Sequence, residues 1–434
     1  MAVYESMKDS GIEWVGEIPC TWKIIANKYV MHKEKRICET WKGQDVLSLT
    51  INGVIVRDLV NPSGKMPTTF DGYQYAHKGE LLMCLFDIDV TPRCVGRVFN
   101  EGVTSPAYSC FVLHQNADLG YYYYYYLMVD NTKELLHLSK NLRHSFTEEQ
   151  LGQLKVPMPP LNEQSAIAAY LDDQCAKIDS LIAEAKASIE EYKQWKASLI
   201  FETVTRGLDP NVEMKDSGVE WIEKIPVTWS TARLKTLFSF SKGLSITKAD
   251  LVEIGIPVIS YGQIHAKTNT GTHLADELLR YVPDKYLESS SDCMIKQGDI
   301  ILADTSEDLV GLGNAVLMDR QEQVFAGYHT IVMHPNNADN SKYLSYLLLT
   351  DCWRSQLRSN ASGIKVFSVT QKILKACDVI LPTAKEQTAI VNYLDKKCSA
   401  IDSIIAEKSL IITNLECYKH SLIFETVTGK RKVV

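Results

Sequence analysis

The residue groupings that usually carry out chemistry occur in this chain only as fragments. A phosphate-binding loop needs GxxxxGK(S/T), but Gly64-Lys65 is followed by Met66, and Lys242-Gly243 has the order reversed. Gly311-Leu312-Gly313 lacks the third glycine of a dinucleotide-binding loop, so a strand turn is the better interpretation. The ten histidines are dispersed and form neither an HExxH nor a Ser-His-Asp pattern.

Acidic and proline motifs show no catalytic signature either. Solvated loops explain five acidic residues better than metal ligation does: Asp87, Asp89, Asp304, Glu307 and Asp308. Met158-Pro159-Pro160-Leu161 distantly matches the (Asn/Asp)-Pro-Pro-(Tyr/Phe) loop of amino-methyltransferases, but both flanking residues of that loop are replaced. We therefore expect a chain that is not an enzyme, with no catalytic residue and no metal site, which recognises something and leaves the chemistry to a partner.

Composition predicts a globular protein of more than one domain. The 434 residues exceed what one core usually holds, and 45% apolar with 23% charged residues are globular values. Apolar runs are short, no secretory pattern opens the chain, and the eleven cysteines are scattered, so we expect a cytoplasmic protein with reduced thiols. The net charge of −7 argues against a protein that coats nucleic acid by bulk charge.

Two internal repeats organise the chain. Residues 7–22 and 214–229, which we call the headers, are identical at eleven of sixteen positions. Residues 163–205 align with residues 386–428 without a gap. The chain is therefore a duplication, in which each half contains a header, a variable region and a near-constant segment. The Trp, Ile and Pro residues of the headers are interpreted as structural clasps.

The near-constant segment has the pattern of a helix. We expect a short helix around Tyr170-Leu171 and then a longer one, which Gly207 ends in the first copy and Gly429 in the second. An apolar stripe alone would fit an ordinary helical core, but two equivalent stripes favour two helices that pack on each other antiparallel. The stripe residues are Ile178, Leu181, Tyr192, Trp195, Leu199, Ile401, Ile404, Leu415, Tyr418 and Leu422. A flanking row widens each stripe: Ile182, Ile189, Ile200, Ile405, Ile412 and Ile423.

The variable regions, residues 23–158 and 230–380, carry mixed strand and helix signals. Strands are predicted at 45–50, 80–86, 108–113, 257–261, 299–303 and 330–333. The run Tyr121–Tyr126 could stack nucleic-acid bases, but a core helix is favoured because Lys342–Leu347 takes its place in the second half. The expected fold class is α+β: mixed α/β domains joined by two long antiparallel coiled-coil helices, internally duplicated with pseudo-two-fold symmetry.

This order of segments resembles the specificity subunit (HsdS type) of type I restriction–modification systems. The resemblance covers essentially the whole chain and depends on repeated motifs. These motifs are Gly11-Ile12-Glu13-Trp14, Ile18-Pro19 and Trp22 with their copies in 218–229, together with Met158-Pro159-Pro160-Leu161-Asn162-Glu163-Gln164 and Leu381-Pro382-Thr383-Ala384-Lys385-Glu386-Gln387.

The resemblance implies a division into two target recognition domains, 1–160 and 208–383, and two conserved helical regions, 161–207 and 384–434. Each recognition domain would read one half of a bipartite double-stranded DNA target, which is asymmetric because the two domains differ. The helices would set the spacer and dock two adenine-N6 methyltransferase subunits that carry AdoMet. Restriction subunits that use ATP and Mg²⁺ would complete the complex, with no cofactor in this chain and no membrane contact.

Base- and phosphate-contacting residues are expected in loops after the strands. Arg, Lys, Asn, Gln, Ser and Thr are the side chains that read bases or hold phosphates, although each single candidate also fits a solvated surface residue. The candidates are Thr50, Asn52, Arg57, Lys65, Arg93 and Arg143 in the first domain, and Tyr261, Gln263, His265, Lys267, Ser306 and Lys365 in the second. The net charge predicts that the isolated chain binds DNA weakly and that partners supply phosphate contacts.

Two other classes of function remain open from the sequence. A duplicated coiled-coil adaptor could use its variable domains to bind proteins instead of DNA. A free-standing DNA enzyme is a third class, which the missing motifs disfavour. Two observations would distinguish a specificity subunit from the adaptor: co-purification with a methyltransferase, and modification of adenine by the resulting complex.

Overall fold

A computed structural model describes residues 4–62, 64, 66–139, 145–337, 341–363 and 365–433. The chain forms two compact units. Unit 1 contains Met1–Ala187 and Lys408–Val434, and unit 2 contains Ser188–Glu407. Each unit therefore combines one variable region with a part of both long helices.

Unit 1 is built from short strands around one tyrosine-rich helix. Its strands are β1 (Met7–Asp9), β2 (Glu17–Pro19), β3 (Lys23–Ala26), β4 (Met31–Lys33), β5 (Ile37–Cys38), β6 (Val46–Thr50), β7 (Gly53–Val56), β8 (Tyr73–Ala76), β9 (Leu81–Met83), β10 (Val95–Arg97), β11 (Gly102–Thr104), β12 (Ser109–Leu113) and β13 (Lys155–Met158). Its helices are α1 (Leu119–Asn131), α2 (Glu134–Leu138), α3 (Glu148–Gln153), the first part of α4 (Leu161–Arg206) and the last part of α11 (Ala384–Val427). Two larger sheets have the strand orders β10-β9-β12-β4 and β5-β8-β11-β6-β7.

Unit 2 repeats this plan. Its strands are β14 (Met214–Val219), β15 (Ile222–Pro226), β16 (Ser230–Arg233), β17 (Phe238–Lys242), β18 (Ile256–Ile259), β19 (Arg280–Val282), β20 (Met294–Ile295), β21 (Ile300–Ala303), β22 (Thr305–Ser306), β23 (Ala315–Leu317), β24 (Val324–Ala326), β25 (Thr330–Pro335), β26 (Phe367–Ser368) and β27 (Asp378–Leu381). Its helices are the last part of α4, α5 (Leu234–Leu237), α6 (Tyr261–Ile264), α7 (Lys285–Ser289), α8 (Ser341–Leu348), α9 (Asp351–Asn360), α10 (Gln371–Ala376) and the first part of α11 (Ala384–Val427).

The strand orders of the two units correspond. The sheet β10-β9-β12-β4 of unit 1 matches β23-β21-β25-β17 of unit 2, and each second sheet contains one parallel pair, β6 with β11 and β18 with β24. Equivalent turns precede β9 and β21: the buried Glu80 carboxylate accepts the N–H of His77, and the buried Asp299 carboxylate accepts that of Lys296. The mixed α/β fold and its duplication, both expected from the sequence, are confirmed.

The prediction of a short helix followed by a longer one is wrong. One continuous helix, α4, runs over 46 residues from Leu161 to Arg206, and α11 runs over 44 residues from Ala384 to Val427. Pro159 and Pro160 lie before the first turn of α4, and no Gly or Pro follows inside it, so nothing in the sequence interrupts the helix. None of the helices within the described ranges is long and apolar enough to span a membrane.

The buried face of the long helices differs in part from the predicted stripe. Ile178, Ile401 and Leu422 are buried, and Tyr192, Leu199, Ile404 and Leu415 are half-buried. Leu181, Trp195 and Tyr418 are exposed, whereas Ile182 and Ile189 of the flanking row are buried. Both rows are apolar, so a four-residue step from Ile178 to Ile182 fits the sequence as well as the three-residue step to Leu181, and the sequence alone did not choose between them.

Parts of the two long helices contact each other within each unit. In unit 1 Lys419 Nζ lies 2.6 Å from both carboxylate oxygens of Asp179, and Lys186 lies 4.0 Å from Glu416. In unit 2 Lys196 Nζ lies 2.7 Å from both carboxylate oxygens of Asp402. Lys196 and Lys419 are equivalent in the internal repeat, as are Asp179 and Asp402. The same ion pair is therefore formed twice. In unit 1 α4 supplies the aspartate and α11 the lysine, whereas in unit 2 α4 supplies the lysine and α11 the aspartate.

Each header closes the core of its own unit. Trp22 is 0% exposed and Trp229 is 1% exposed. Trp22 meets the edge of Tyr121 at 6.2 Å between ring centroids, and Trp229 meets Tyr343 at 6.5 Å. The Tyr121 hydroxyl donates to the Val427 carbonyl oxygen, as that of Tyr343 does to Val204, each at 2.9 Å. The clasp interpretation of the headers and the core-helix prediction for the tyrosine run are confirmed.

Candidate nucleic-acid interface

The hairpin between β6 and β7 places two predicted contact residues at its tip. Gly53 takes a φ of 94°, which the Asn52-Gly53 turn signal anticipates. The Thr50 hydroxyl donates to the Gly53 carbonyl oxygen at 3.0 Å and accepts the N–H of Asn52 at 3.2 Å. Thr50 therefore shapes the turn, while the exposed Asn52 amide points outward and can meet a base edge.

Arg93 joins this hairpin to the tyrosine helix. Its guanidinium donates to the Tyr123 hydroxyl at 3.3 Å. It lines a cavity of about 320 Å³ with Thr50 and Tyr108, and an adjoining one of about 550 Å³ with Asn52. The structure thus brings Thr50, Asn52 and Arg93 together on one surface of unit 1.

Of the three remaining candidates of unit 1, one is half-buried and two lie outside the described residues. Arg57 is half-buried near Tyr108: burial raises the pKa of the Tyr108 phenol, and the positive charge of Arg57 acts in the opposite direction. Lys65 and Arg143 fall outside the described residues, and both stay predictions.

Arg97 is a cation of this surface that the sequence did not single out. It donates to both oxygens of Asp172, at 2.7 and 3.1 Å, and its guanidinium lies 4.6 Å from the Tyr123 ring centroid. Burial opposes the charge of Arg97, but the hydrogen bonds and charge of Asp172 outweigh it and raise the pKa of the guanidinium. Arg97 therefore fixes the position of Tyr123 and, through it, of Arg93.

In unit 2 an aromatic cluster surrounds Tyr261, the first residue of α6. Its ring meets Tyr328 at 5.5 Å and His329 at 5.4 Å between centroids. His329 is exposed and has a φ of 55°, an uncommon conformation for a residue with a side chain. Strained backbone is enriched at functional sites, and exposed aromatic rings and imidazoles can contact bases. The exposed His329 and the half-buried Tyr328 therefore belong to the same candidate surface as Tyr261.

His265 acts inside unit 2. Its Nε2 donates to the Thr305 carbonyl oxygen at 2.8 Å, and its Nδ1 accepts from the Asn314 amide at 3.1 Å. Arg354 orients that amide by donating to its oxygen at 2.8 Å. Both ring nitrogens are thus occupied, so His265 positions the loop after β21 and its predicted base contact is not supported.

Of the other candidates of unit 2, two side chains form hydrogen bonds that stabilise turns and two are exposed. The Gln263 amide oxygen accepts the N–H of Ser260 at 3.3 Å, which closes the first turn of α6. Ser306 is buried in β22, and its hydroxyl accepts the N–H of Asp308 at 3.4 Å, so it supports a turn and cannot reach a base. Lys267, after α6, and Lys365, beside β26, are exposed and can reach a phosphate.

No group of three His, Cys, Asp or Glu side chains that could hold a metal ion occurs in the described part of the chain. The polar groups that the structure assembles on the two surfaces are amides, guanidiniums, imidazoles and phenols. These groups donate and accept hydrogen bonds and stack on planar rings, which is the chemistry of nucleic-acid recognition.

Comparison with known proteins agrees with this chemistry. The family model of the type I restriction modification DNA specificity domain matches residues 75–191 and 226–411. The MjaVIII type I restriction enzyme specificity subunit of Methanocaldococcus jannaschii is 24% identical over 320 residues, which span 69% of this chain and 70% of that relative.

Solved structures show the same fold. A chain from a study of complex assembly and conformational transition of the type I R-M system aligns with a TM-score of 0.67 at 13% identity, over 94% of this chain and 98% of that one. The HsdS subunit from Thermoanaerobacter tengcongensis gives a TM-score of 0.50 at 14% identity, over 95% and 98% of the two chains.

The chain therefore belongs to the family of type I restriction modification DNA specificity domains. Within that family it is an HsdS-type specificity subunit of a type I restriction–modification system. Such a subunit supplies DNA sequence recognition and is itself not catalytic.

Proposed function

We propose that the chain reads an asymmetric bipartite DNA target, one half with recognition domain 1–160 and the other with recognition domain 208–383. The observation that carries this proposal is that the two units share one strand order while their candidate surfaces differ. Unit 1 offers Asn52 and Arg93, and unit 2 offers Tyr261 and His329. Since different side chains read different bases, two such surfaces select two unlike half-sites.

The conserved helical regions 161–207 and 384–434 are proposed to form an antiparallel coiled coil with pseudo-two-fold symmetry. The exchanged ion pairs, Asp179 with Lys419 and Lys196 with Asp402, support this arrangement. When two equivalent elements are related by a two-fold axis, each contact is made twice with the partners exchanged. A helix pair of fixed length would then set the spacer between the half-sites.

The same helices are proposed to dock two adenine-N6 methyltransferase subunits. Trp195 in unit 2 is 51% exposed, and its repeat equivalent Tyr418 in unit 1 is 46% exposed. Exposed aromatic residues are common anchors of protein interfaces. One equivalent anchor in each unit suits two copies of one partner. AdoMet would be bound by those subunits, and ATP and Mg²⁺ by restriction subunits that join them.

The negative net charge of the chain supports a complex in which other subunits make most of the DNA phosphate contacts. With a net charge of −7, the chain alone is expected to bind DNA weakly, because phosphate neutralisation supplies much of the affinity of DNA-binding proteins. The methyltransferase subunits would supply those phosphate contacts in the complex.

The proposal is tested by co-expressing the chain with its methyltransferase and sequencing the adenine methylome. We expect N6-methyladenine at one asymmetric motif with two defined halves and an undefined spacer. Exchanging residues 23–158 for another variable region should change one half only. Unmodified adenine throughout, or a change in both halves, would contradict the proposal.

Arg93→Ala is expected to weaken binding of the complex to its DNA target by about 1–3 kcal/mol, which is about 5- to 150-fold in the dissociation constant. The loss should be accompanied by relaxed base preference in the half-site that recognition domain 1–160 reads. Fluorescence anisotropy with duplexes altered in one half at a time measures both effects. The other half-site is the internal control, and equal relaxation in both halves would show that Arg93 acts through folding.

Trp195→Ala and Tyr418→Ala are each expected to remove one methyltransferase subunit, since loss of an interface anchor costs about 2 kcal/mol or more. Native mass spectrometry of the complex should show one methyltransferase with either variant and none with both. Ile254→Ala, which truncates an exposed apolar residue outside the long helices, is the control. Two retained methyltransferase subunits in the double variant would exclude this docking surface.

A further inference from the structure

The segment after α11 packs an arginine into unit 1. Arg431 Nε and Nη2 donate to one oxygen of Glu425, at 3.0 and 2.8 Å, and the Arg431 side chain is only 12% exposed. Hydrogen bonding to Glu425 raises the pKa of the Arg431 guanidinium against the effect of burial, and the neighbouring Tyr170 adds to the rise. A carboxylate and a phenol thus form a receptor for a guanidinium.

The neighbouring lysine completes this packing. Lys430 Nζ donates to the Val15 carbonyl oxygen at 2.6 Å and lies 4.8 Å from the Phe424 ring centroid. The Lys430 stem and charge therefore cover Phe424, which is only partly exposed. Together the two cations fasten the end of the chain between the last turn of α11 and the first header.

Unit 2 contains the same receptor residues. The internal repeat places Glu202 at the position of Glu425, Tyr393 at that of Tyr170, and Phe201 at that of Phe424. The second header places Ile222 at the position of Val15. All four line one groove of about 940 Å³ between the end of α4 and the β14–β15 hairpin.

The groove of unit 2 differs from the equivalent place in unit 1 in the segment that follows the long helix. After Gly207 the chain continues as Leu208-Asp209-Pro210, where unit 1 has Lys430-Arg431-Lys432 after Gly429. Over the described ranges, no cation pairs with the Glu202 carboxylate, and Phe201 and Leu208 are exposed on the groove wall. The receptor residues are thus present in both units, and in unit 1 Arg431 pairs with the glutamate.

The charge of the lining indicates the class of occupant. Three carboxylates line the groove, those of Glu202, Asp209 and Glu223, against the two cations Arg206 and Lys224. An acidic, partly apolar groove attracts a basic segment with aliphatic residues and repels the phosphates of a nucleic acid. A guanidinium is favoured over an ammonium because it can donate two hydrogen bonds to a carboxylate in a fixed geometry.

We propose that this groove of unit 2 docks a basic, arginine-bearing segment of a partner protein, whose guanidinium pairs with Glu202 beside Tyr393 as Arg431 pairs with Glu425 beside Tyr170 in unit 1. This site is additional to DNA recognition and does not depend on the function proposed above. It gives the two units different partners at equivalent places.

A fluorescent peptide with the sequence of residues 428–434, TGKRKVV, is a direct probe of the site. Anisotropy titration of the full-length chain should show saturable binding at one site. Glu202→Gln, which preserves shape and removes the charge, should weaken binding at least tenfold. Glu191→Gln, which alters another exposed glutamate of α4, should leave binding unchanged.

Two further measurements test whether the groove prefers arginine over lysine and where on the chain the peptide binds. A peptide with lysine at the arginine position should bind at least tenfold more weakly. Hydrogen–deuterium exchange should show protection over residues 199–224, and not over 420–433, where the tail of the chain is already bound. Binding without protection over 199–224, or an equal affinity for the lysine peptide, would overturn the proposal.

The remaining outcomes assign the groove to another occupant. Displacement of the peptide by a double-stranded oligonucleotide would identify a nucleic-acid site, and dimerisation of the chain that Glu202→Gln abolishes would identify a second copy. Either result, like an absence of peptide binding, would refute a partner-protein site. Adenine methylation by the assembled complex is measured separately, so a failure here is distinct from a failure of the proposed DNA recognition.

Discussion

Replacing Trp229 with alanine is expected to lower the free energy of unfolding of unit 2 by about 3–5 kcal/mol, the usual cost of truncating a buried tryptophan. The Trp229 ring is 1% exposed, and its Nε1 donates to Glu386 at 3.2 Å. The ring also packs beside Gly207, where the chain leaves α4. Truncation would leave a cavity at the point where header, helix and sheet meet.

Trp22 and Trp195 provide matched comparisons for this variant. Trp22→Ala should destabilise unit 1 by a similar amount, since Trp22 is 0% exposed and packs against Tyr121. Trp195→Ala removes the same side chain from an exposed position, so its cost should stay within about 0.5 kcal/mol, as for most surface substitutions.

Hydrogen–deuterium exchange in increasing urea measures the stability of the two units separately. With Trp229→Ala, residues of β17, β21 and β25 should exchange at lower urea, while those of β4, β9 and β12 keep their protection until higher urea. Equal destabilisation by Trp195→Ala and Trp229→Ala would show that burial does not determine the loss.

Inserting four residues after Ala187 in α4, with four more at the equivalent position after Leu410 in α11, is expected to reduce methylation of the native motif at least a hundredfold. Four residues lengthen a helix by about 6 Å and rotate it by slightly more than one turn, so the apolar face nearly keeps its phase. A spacer that depends on helix length should then grow by about two base pairs, at about 3.4 Å each, while both half-sites keep their sequences.

Methylome sequencing of cells carrying the variant complex reports the new motif directly. Two residues inserted at the same places form the control, because they rotate the apolar face by about half a turn and should prevent pairing of the helices. The two-residue variant is therefore expected to methylate no new motif. An unchanged spacer after the four-residue insertion would show that the helices do not set it.

Much of the fold could be predicted because its signals are local. The Asn52-Gly53 turn, the glycines that end the long helices and strands such as β6 and β12 all follow from short patterns. The strand predicted at 257–261 was too long: β18 ends at Ile259, and Tyr261 opens α6, where Gln263 closes the first turn on Ser260. That side-chain hydrogen bond competes with strand pairing and is not visible in apolar periodicity.

The candidate site could be predicted only in part because its groups come from distant segments. Asn52 and Arg93 were proposed singly from residue type, and the structure places them on one surface. Tyr328 and His329 were missed because their contact with Tyr261 joins segments separated by more than sixty residues. Residue type alone favours Ser306 and His265 as base contacts, but Ser306 is buried and the ring nitrogens of His265 have partners inside the unit.

The composition of the two units has a consequence for the order in which the protein folds during synthesis. Unit 2 is one continuous stretch, Ser188–Glu407, so all its core residues are made before residue 408. Unit 1 emerges first from the ribosome, yet its core includes Leu422, Ile423 and Val427. Its apolar surface around Trp22 and Ile178 therefore stays incomplete until residues 422–427 are made, and such a state is prone to aggregation. The half of the protein that is translated first is thus the half that finishes folding last.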